Sequence, residues 1–387
     1  MNTSRTAGQT RITLHFFVAI KSVDCYTPSP VKNSIFRKEK PMKSNWKFLM
    51  LFLLLAALLL AACGSGSEEP AAESDAADTA GEETGDQAAE EPADEAAESE
   101  EKMTITLVEN AWSASELNVA VAKILLEDEL GYPVEVISLD ENLQWPALAA
   151  GDAHASLEVW PSGHAANVAE FIEEAGTVEH GGLLGPVGRI GWYMPSYVLE
   201  QDPNLATWEG FTQPEAAAMF ATAETGDLGQ FLGGDPSFVQ YDSDIINNLG
   251  MPFEVVFAGS EEAILAQLDS AYSREEPVLF YFWTPHSIHA KYDLTRVALP
   301  EYSDECYAEA DAGGVDCDYP GDDLFKIFWS CLAEATPDAH TLLSNMNYST
   351  EDQIEMIAAV EIDGQSVEEA AQAWVDANED VWRTWLP

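Results

Sequence analysis

The chain has 387 residues, of which 68 are Asp or Glu and 17 are Lys or Arg, so its formal net charge is −51. A surface this acidic repels phosphates, which argues against nucleic acid and anionic lipid headgroups as partners. Hydrophobic residues make up 47% of the sequence, which is ample for one or two buried cores.

The N-terminal part has the features of a lipoprotein signal peptide. Lys43 and Lys47 precede an almost unbroken apolar run, 48–62, which is short for a bilayer span but has the length of a signal-peptide core. The run ends in Leu-Ala-Ala-Cys-Gly, where small residues precede Cys63, the residue that would receive the lipid. We therefore predict a signal peptide over 42–62 and lipidation at Cys63. The alternative, a single transmembrane anchor, lacks a following cluster of positive charge.

Residues 1–41 do not resemble a secretory leader, and we interpret them as a mis-called extension before a true start at Met42. Nine of the 17 basic residues and two of the 68 acidic ones precede Cys63, so the processed chain has a net charge of −58. The segment 64–101 contains 15 acids and no aromatic residue, a composition that cannot bury enough apolar surface to fold. We predict that 63–102 is the lipidated Cys and a disordered acidic linker.

Beyond the linker, short strands alternate with helices. Apolar and polar residues alternate over 103–109, and apolar residues recur at helical spacing over 115–130. Similar patterns follow at 134–138, 142–150 and 155–160. This βαβαβ order is typical of a parallel sheet flanked by helices, so we predict an α/β fold.

A second α/β series follows a predicted strand at 187–194. Its predicted helices are 214–222, 242–249 and 260–272, its strands are 253–258 and 277–283, and a further strand near 325–329 precedes C-terminal helices. We predict two lobes, each a mainly parallel sheet with helices, formed by 103–195 with 322–387 and by 196–321. Two lobes joined by short crossovers make a hinge and a closable cleft.

Three tryptophans lie at the carboxyl ends of predicted strands, where open α/β sheets bind ligands. Trp112 follows the first strand, Trp160 closes the third, and Trp283 closes a strand of the second lobe. A trimethylammonium group has no N–H, so aromatic faces hold it, at about 2 kcal/mol or more per ring once desolvated. The positions predict an aromatic cage; core packing is the alternative for each ring.

Donors for a ligand carboxylate are also present. The loop 233–240 leads to the predicted helix 242–249, and backbone N–H groups at a helix start form an anion site. His164, four residues after Trp160, would add a charge-assisted donor, with a surface or capping role as its alternative. A cage beside such donors suits a zwitterion.

The cysteines indicate one disulfide. Cys306 and Cys317 lie eleven residues apart in a Gly- and Asp-rich loop, and such a pair bonds outside the cytoplasm. Cys331 lies in an apolar stretch, where we predict a buried free thiol. Cys25 would leave with the leader.

Nothing in the sequence has the pattern of an enzyme: it lacks a nucleophile elbow, a phosphate loop and a Cys/His cluster at zinc spacing. His286 and His289 could bind a metal, but lining the cleft fits them better. The acidic loop 311–323 fits no EF-hand. We therefore predict no catalytic residue, no cofactor and no metal. The remaining alternative is a structural or adhesive surface lipoprotein. That alternative would not explain the tryptophans at the strand ends.

Several motifs resemble the substrate-binding proteins of glycine betaine/proline betaine ABC importers, the ProX/OpuAC-like group, over essentially all of 103–387. They are ENAWSASE at 109–116, EVWPSGH at 158–164, GWYMP at 191–195, DPSF at 235–238, WTPH at 283–286 and AKYDL at 290–294. The resemblance implies a type II periplasmic-binding-protein fold. It also implies an extracytoplasmic protein that passes its solute to an ABC permease with its ATPase, and the predicted lipid on Cys63 would anchor that protein to the membrane.

The resemblance further implies roles for individual residues. The cage walls would be Trp112, Trp160, Trp283 and Phe238. The ligand carboxylate would be bound by His164 and by backbone N–H groups of Phe238, Val239 and Gln240. Ser237 and Val239 stand where relatives prefer glycine, and Ser287 replaces a common aromatic residue. The class of ligand implies glycine betaine as the leading solute, and these departures leave choline, carnitine, ectoine or an amino acid as alternatives.

Overall fold

The structure, a computed structural model, describes Cys25 and residues 102–387. The predicted signal peptide 42–62, the lipidation site Cys63 and the acidic linker up to residue 101 lie outside the described residues. Within 102–387, no helix combines the length and the apolar character needed to cross a membrane.

One edge of the sheet is made of three parallel strands: β1 Ile105–Glu109, β2 Val134–Ser138 and β3 Ala155–Val159. Helix α1 (Ser113–Asp128) connects β1 to β2, and helix α2 (Gln144–Ala150) connects β2 to β3. Helix α2 ends at Gly151, whose φ of 76° is the left-handed conformation that favours glycine at a helix end. The chain thereby returns to the sheet within four residues.

Two long antiparallel strands cross the middle of the sheet: β4 Val178–Pro195 and β9 Gly321–Trp329. The first part of β4 pairs with β9, which in turn pairs with β3. The last part of β4 pairs with β7 (Leu279–Thr284) and β8 (Leu294–Arg296), also antiparallel. A single strand, β4, therefore joins two parallel groups.

The second parallel group contains β5 (Gly229–Gly233), which pairs with β7 and with β6 (Phe253–Phe257). The strand order is β2-β1-β3-β9-β4-β7-β5-β6, with β8 on β4. Two successive antiparallel pairings make β4 parallel to β3, whereas β7 runs the opposite way. The carboxyl ends of β3 and β7 consequently point towards each other.

Helices flank this sheet. After α1 and α2 they are α3 Ala165–Asn167, α4 Tyr197–Gln201, α5 Pro214–Phe220, α6 Asp242–Asn248, α7 Glu261–Ser273, α8 Ile288–Lys291, α9 Asp304–Tyr307, α10 Leu332–Ala335, α11 Pro337–Asn345, α12 Thr350–Glu361, α13 Val367–Ala377 and α14 Glu379–Trp382. A π-helical segment, Val168–Glu174, extends α3. Helices α12 and α13 begin with capping boxes at Ser349 and Ser366. In each, the serine hydroxyl accepts from the backbone N–H of the third helical residue, whose carboxylate accepts from the serine N–H.

The apolar core follows the sheet from end to end. Trp192 on β4 is fully buried with its ring centroid 4.6 Å from that of Phe231 on β5. The C-terminal helices close over the first parallel group with a stack of Trp374 and Trp385, 5.7 Å apart, against Tyr348. Burial of rings this large supplies much of the stabilisation of the domain.

The predicted α/β class is confirmed, with differences inside the sheet. Strand β5 and the first half of β4 escape the sequence pattern, since Gly181, Gly182 and Gly185 interrupt the alternation of β4 and glycine begins and ends β5. The central strands are antiparallel, although we predict mainly parallel sheets. Local alternation fixes which face of a strand is buried but carries no information about the direction of its partner.

The cysteines form two disulfides in the described residues. Cys306 and Cys317 are bonded, with their Cα atoms 6.5 Å apart. Cys331, predicted as a buried free thiol, is bonded to Cys25, with Cα atoms 5.5 Å apart, so that prediction is wrong for the full chain. The prediction rests on the apolar stretch around Cys331, whereas the structure also contains Cys25, which we predict to be lost with the leader.

Candidate functional site

A pocket lies where the two parallel groups of strands face each other. Seven aromatic side chains line it: Trp112, Trp160, Phe238, Tyr241, Tyr281, Trp283 and Tyr319. The other lining residues are Glu141, Ser162, Gly163, Ile190 and Val239. Its wall is thus mainly aromatic, with one carboxylate.

The strands position the three tryptophans. Trp112 directly precedes α1 after β1, Trp160 directly follows β3, and Trp283 is the penultimate residue of β7. All three lie at carboxyl ends of strands, and the opposed directions of β3 and β7 bring them to one place. The sequence prediction that these rings could share a site therefore matches their placement around the pocket.

Phe238 closes the ring of aromatic side chains. Its centroid is 5.6 Å from Trp112 and 6.0 Å from Trp283, both in edge-on geometry. It sits in the loop between β5 and α6, where its N–H donates to the carbonyl of Asp235 over 3.0 Å. The four rings predicted as cage walls thus line one pocket.

Trp160 owes its position to a glycine on the neighbouring strand. A Cβ atom on Gly188 of β4 would overlap the six-membered ring of Trp160, so only glycine leaves room for the indole. On the adjacent strand β9, a Cβ on Gly321 would meet nothing closer than 4.0 Å. A side chain at position 188 would therefore clash with the indole, whereas one at position 321 would not, although the two glycines lie in neighbouring strands.

The sequence did not point to the three tyrosines or to Glu141. Tyr281 lies two residues before Trp283 on β7, so the period of two could have revealed it. Tyr319 and Glu141 lie in irregular segments, where no pattern predicts the direction of a side chain. Tyr319 bridges the loop and α6, because its hydroxyl donates to Asp242 over 3.0 Å and accepts from the N–H of Tyr241 over 2.9 Å.

His164 does not line the pocket directly. Its side chain is buried, with Nε2 3.1 Å from Oε2 of Glu141 and Nδ1 3.1 Å from the amide nitrogen of Asn167. It therefore supports Glu141 from behind, and its predicted contact with a ligand carboxylate stays a prediction.

Of the loop residues predicted to bind a carboxylate, Phe238 and Val239 have their backbone N–H groups paired within the protein, and Gln240 is held by its side chain. The N–H of Val239 donates to Oε1 of Glu141. The amide of Gln240 donates to the carbonyl of Asp235 over 2.7 Å, and its Oε1 accepts from the N–H of Gly234 over 2.7 Å. Gln240 shapes the loop, and Glu141 occupies the donor of Val239.

A buried carboxylate, Glu158 on β3, lies behind the cage. Its Oε1 accepts from Nε1 of Trp112 over 2.8 Å and from Nε1 of Trp160 over 3.1 Å. Its Oε2 accepts from the side-chain amides of Asn118, over 2.6 Å, and Gln353, over 3.1 Å. Burial raises the pKa of Glu158 to about 7, against the effect of these four donors.

Two more carboxylates lie close to the pocket wall. Asp242 at the start of α6 accepts from Nε1 of Trp192 over 2.6 Å, and burial raises its pKa to about 7. Asp322 on β9 accepts from the N–H and the hydroxyl of Ser162, over 3.0 and 2.7 Å, and burial raises its pKa to about 6. Above these pKa values the carboxylates are ionised, and their negative charge favours a positively charged ligand over an anion.

His286 and His289 are used within the fold. Nε2 of His286 lies 2.7 Å from Oε1 of Glu261, and Nε2 of His289 lies 2.9 Å from the carbonyl of Trp283. Burial lowers the pKa of His289, which keeps it neutral. The two rings thus support the segment that follows Trp283.

Comparisons with known proteins agree on one class. The family described as the substrate binding domain of ABC-type glycine betaine transport systems matches residues 103–377. The chain is 26% identical over 294 residues to a trimethylamine N-oxide-binding protein of Pelagibacter ubique, covering 73% of this chain and 91% of that protein. It is 29% identical over 126 residues to the glycine betaine/carnitine transport binding protein GbuC of Listeria monocytogenes, covering 33% and 37% respectively.

Solved structures show the same fold. Lactococcal OpuAC, closed and complexed with glycine betaine, has a TM-score of 0.58 at 20% identity, covering 73% of this chain and 99% of that one. A choline-binding protein of an ABC transporter, in complex with choline, has a TM-score of 0.60 at 20% identity, covering 73% and 92%. The predicted type II periplasmic-binding-protein fold is confirmed by these likenesses.

Proposed function

Because the chain belongs to the family of substrate-binding domains of ABC-type glycine betaine transport systems, we propose that it captures a small trimethylammonium solute without a carboxylate, choline first among them. As a member of this extracytoplasmic family it is the substrate-binding protein of a betaine/choline-type ABC importer and not an enzyme. Such proteins bind a small solute and deliver it to the permease.

The aromatic wall supports a quaternary ammonium ligand. Such a cation offers no N–H to a hydrogen-bond acceptor, so ring faces and the exclusion of water must supply its affinity. Trp112, Trp160, Trp283 and Phe238 supply four rings in one pocket. Each desolvated ring contributes about 2 kcal/mol or more to binding of a cation.

Glu141 is the observation that carries the choice among solutes. Its carboxylate lines the pocket and accepts from the N–H of Val239, with His164 at its other oxygen. A ligand carboxylate would meet this like charge and would have to displace it from its donors. The hydroxyl of choline can instead donate a charge-assisted hydrogen bond to Glu141.

The overall charge supports the same choice. The described domain from Lys102 on carries 51 acidic and eight basic residues. A field of this sign attracts a cation such as choline from a distance, whereas it exerts no net pull on a zwitterion.

Trimethylamine N-oxide is the second candidate, because the Pelagibacter protein that is 26% identical to this chain is named for binding it. Its oxygen accepts hydrogen bonds but carries no hydrogen, so it needs a proton between itself and Glu141. We therefore expect its affinity relative to that of choline to rise as the pH falls. Glycine betaine, the leading solute from the sequence, ranks third since it must displace Glu141.

We further propose that the solute is enclosed by closure of the two predicted lobes, 103–195 with 322–387 and 196–321, about β4 and β9. Contacts between these segments meet at the pocket: the ring of Trp112 contacts Phe238, and the N–H of Ser113 donates to Oε2 of Glu261 over 2.8 Å. Lipid anchoring at Cys63 would keep the closed protein near the permease.

The test is a titration of the purified protein with choline, trimethylamine N-oxide, glycine betaine and tetramethylammonium. Binding is measured by calorimetry and by tryptophan fluorescence. We expect choline to bind most tightly at pH 8 and glycine betaine least tightly of the first three. Tightest binding of glycine betaine would refute the role of Glu141. Absence of binding by all four solutes would refute the proposed function.

A further inference from the structure

The carboxylate of Glu158 connects two walls of the cage. Its side chain is 1% exposed and does not line the pocket, yet a single oxygen, Oε1, accepts the indole N–H of both Trp112 and Trp160. The two tryptophans come from different strand ends, 48 residues apart in the chain. One buried atom therefore holds two separate parts of the site in register.

These hydrogen bonds determine how each ring can turn. An indole has a single polar hydrogen, on Nε1, and a buried one has to be satisfied. Fixing that edge of the ring on Glu158 leaves the rest of the indole as pocket wall. Asn118 on α1 and Gln353 on α12 donate to Oε2 and so fix the carboxylate itself. The acceptor is thus rigid before any ligand arrives, which lowers the entropic cost of binding.

The charge of Glu158 has a second effect. A hydrogen bond from an indole N–H to an ionised acceptor is stronger than one to a neutral acceptor, and it polarises the ring towards its faces. A cation held by those faces also gains from a negative charge behind them in a medium of low dielectric constant. Protonation would remove both contributions and would add an O–H among four N–H donors.

We propose that Glu158 is the positioning residue of the aromatic cage, and that its ionised carboxylate strengthens the hold of Trp112 and Trp160 on a cationic ligand. This inference rests on the proposed function, since it presupposes that a quaternary ammonium group occupies the cage. Cation binding and deprotonation of Glu158 are then coupled, so the affinity for a cation falls as Glu158 takes up a proton.

The coupling falls in an accessible range, because burial raises the pKa of Glu158 to about 7. Two further titratable groups lie on segments packed near Glu158. Tyr348, beyond α11, has a pKa raised well above its usual value by burial, with Glu158 among the causes. Lys326 on β9 donates to the carbonyls of Ser344 and Met346, and burial lowers its pKa only to about 8. Tyr348 keeps its proton throughout the range, and Lys326 loses its proton only towards the upper end.

Other carboxylates near the pocket titrate in the same range, namely Asp242 and Asp322. A pH profile of the wild-type protein therefore cannot by itself be assigned to Glu158. The assignment needs the isosteric variant Glu158→Gln, which removes the charge and turns one acceptor into a donor that faces other donors. Glu116→Gln is the matched control: Glu116 lies on α1, outside the pocket lining, and burial likewise raises its pKa to about 7.

The experiment measures the dissociation constant of tetramethylammonium from pH 5.5 to 8.5. This probe has neither hydroxyl nor carboxylate, so it reports on the cage and not on Glu141. For the wild-type protein and Glu116→Gln we expect binding about tenfold tighter at pH 8.5 than at pH 5.5. For Glu158→Gln we expect binding at least about tenfold weaker at pH 8.5 and a loss of most of the pH dependence.

A thermal melt of each variant accompanies the titrations. Should Glu158→Gln fail to fold, Trp112→Phe and Trp160→Phe keep an aromatic ring while removing one N–H each, and each should reduce the pH dependence. Wild-type affinity and an unchanged pH profile in Glu158→Gln, even with a lower melting temperature, would overturn the inference and leave the proposed function intact. Failure of the wild-type protein to bind tetramethylammonium or choline at any pH would refute the proposed function instead.

Discussion

The backbone N–H of Val239 donates to Oε1 of Glu141, so a carboxylate of the protein occupies the donor that the sequence assigns to the carboxylate of a ligand. Glu141 follows β2, and Val239 follows β5 in the other parallel group of strands. The contact therefore joins two distant parts of the chain at the wall of the pocket. This hydrogen bond helps to hold the two parts of the site together, and it places a carboxylate, rather than a free N–H donor, at the pocket wall.

Replacing Glu141 by Gln should invert the preference of the site. Glutamine keeps an oxygen that can accept from the N–H of Val239, but it lacks the negative charge that strengthens the hydrogen bond from the hydroxyl of choline. Choline should therefore bind about 10- to 100-fold more weakly, as expected for loss of a hydrogen bond to a charged group. Glycine betaine should bind more tightly, because the like charge is gone. Calorimetry with both solutes measures this. Glu135→Gln, an exposed residue of β2, controls for net charge, and equal effects of the two substitutions would contradict the role of Glu141.

Removing a cage ring should weaken binding of every quaternary ammonium solute. Trp160→Ala or Trp283→Ala should each lower the affinity for tetramethylammonium by an order of magnitude or more, since each ring contributes about 2 kcal/mol. Trp208→Ala removes a ring that does not line the pocket and should leave the affinity unchanged. Titration by calorimetry avoids the loss of fluorescence in these variants. Unchanged affinity in both variants would contradict the aromatic cage.

Gly188 should matter to binding although it has no side chain. A methyl group at this position overlaps the ring of Trp160, so Gly188→Ala should displace the indole and weaken tetramethylammonium binding at least several-fold. Gly321→Ala on the adjacent strand is the matched control, since a Cβ there meets only Val187 at 4.0 Å. If both variants bind alike, the tight packing of Trp160 on β4 does not govern the site.

Asp242 should make the folded state less stable at alkaline pH. Burial raises its pKa to about 7, so the folded protein keeps this proton while the unfolded chain releases it near pH 4, and stability falls as the pH rises from about 4 to 7. Its Oδ2 has no hydrogen-bond partner in the described residues, so an amide at this position breaks no hydrogen bond of that atom.

We therefore compare the free energies of unfolding of Asp242→Asn and the wild-type protein, measured with urea at pH 5 and pH 8. Between these pH values the stability of the variant relative to the wild-type protein should rise by on the order of 2–3 kcal/mol. Asp244→Asn in the same helix turn is the control. A constant difference between Asp242→Asn and the wild-type protein across this pH range would show that Asp242 is ionised in the fold.

The sequence reveals those parts of the site that follow from periodic structure. Trp112, Trp160 and Trp283 could be found because a strand that alternates ends at a definite residue, and carboxyl ends of strands meet at ligand sites. Glu141 could not, because it lies in an irregular loop after β2 and reaches the pocket only through tertiary packing. The hydrogen bonds from two indoles to Glu158 could not be predicted either, because they depend on β1 and β3 being neighbours in the sheet.

The same limit applies to the sheet. The βαβ units are local, and their apolar periodicity predicts them. The antiparallel course of β4 and β9 depends on pairing between residues up to about 150 positions apart, for which a single sequence holds no periodic signal.

Cys331 offers a test of how the chain is processed. If cleavage before Cys63 occurs as predicted, Cys25 is removed, Cys63 carries the lipid, and Cys306 and Cys317 are bonded to each other. Cys331 is then the thiol that reacts with iodoacetamide once the protein is denatured, before any reduction. Peptide mapping of protein extracted from membranes locates the label. A peptide containing Cys25 joined to Cys331 would show that the leader is retained, and a label on Cys63 would show that its thiol carries no lipid. Either result would contradict the predicted lipoprotein.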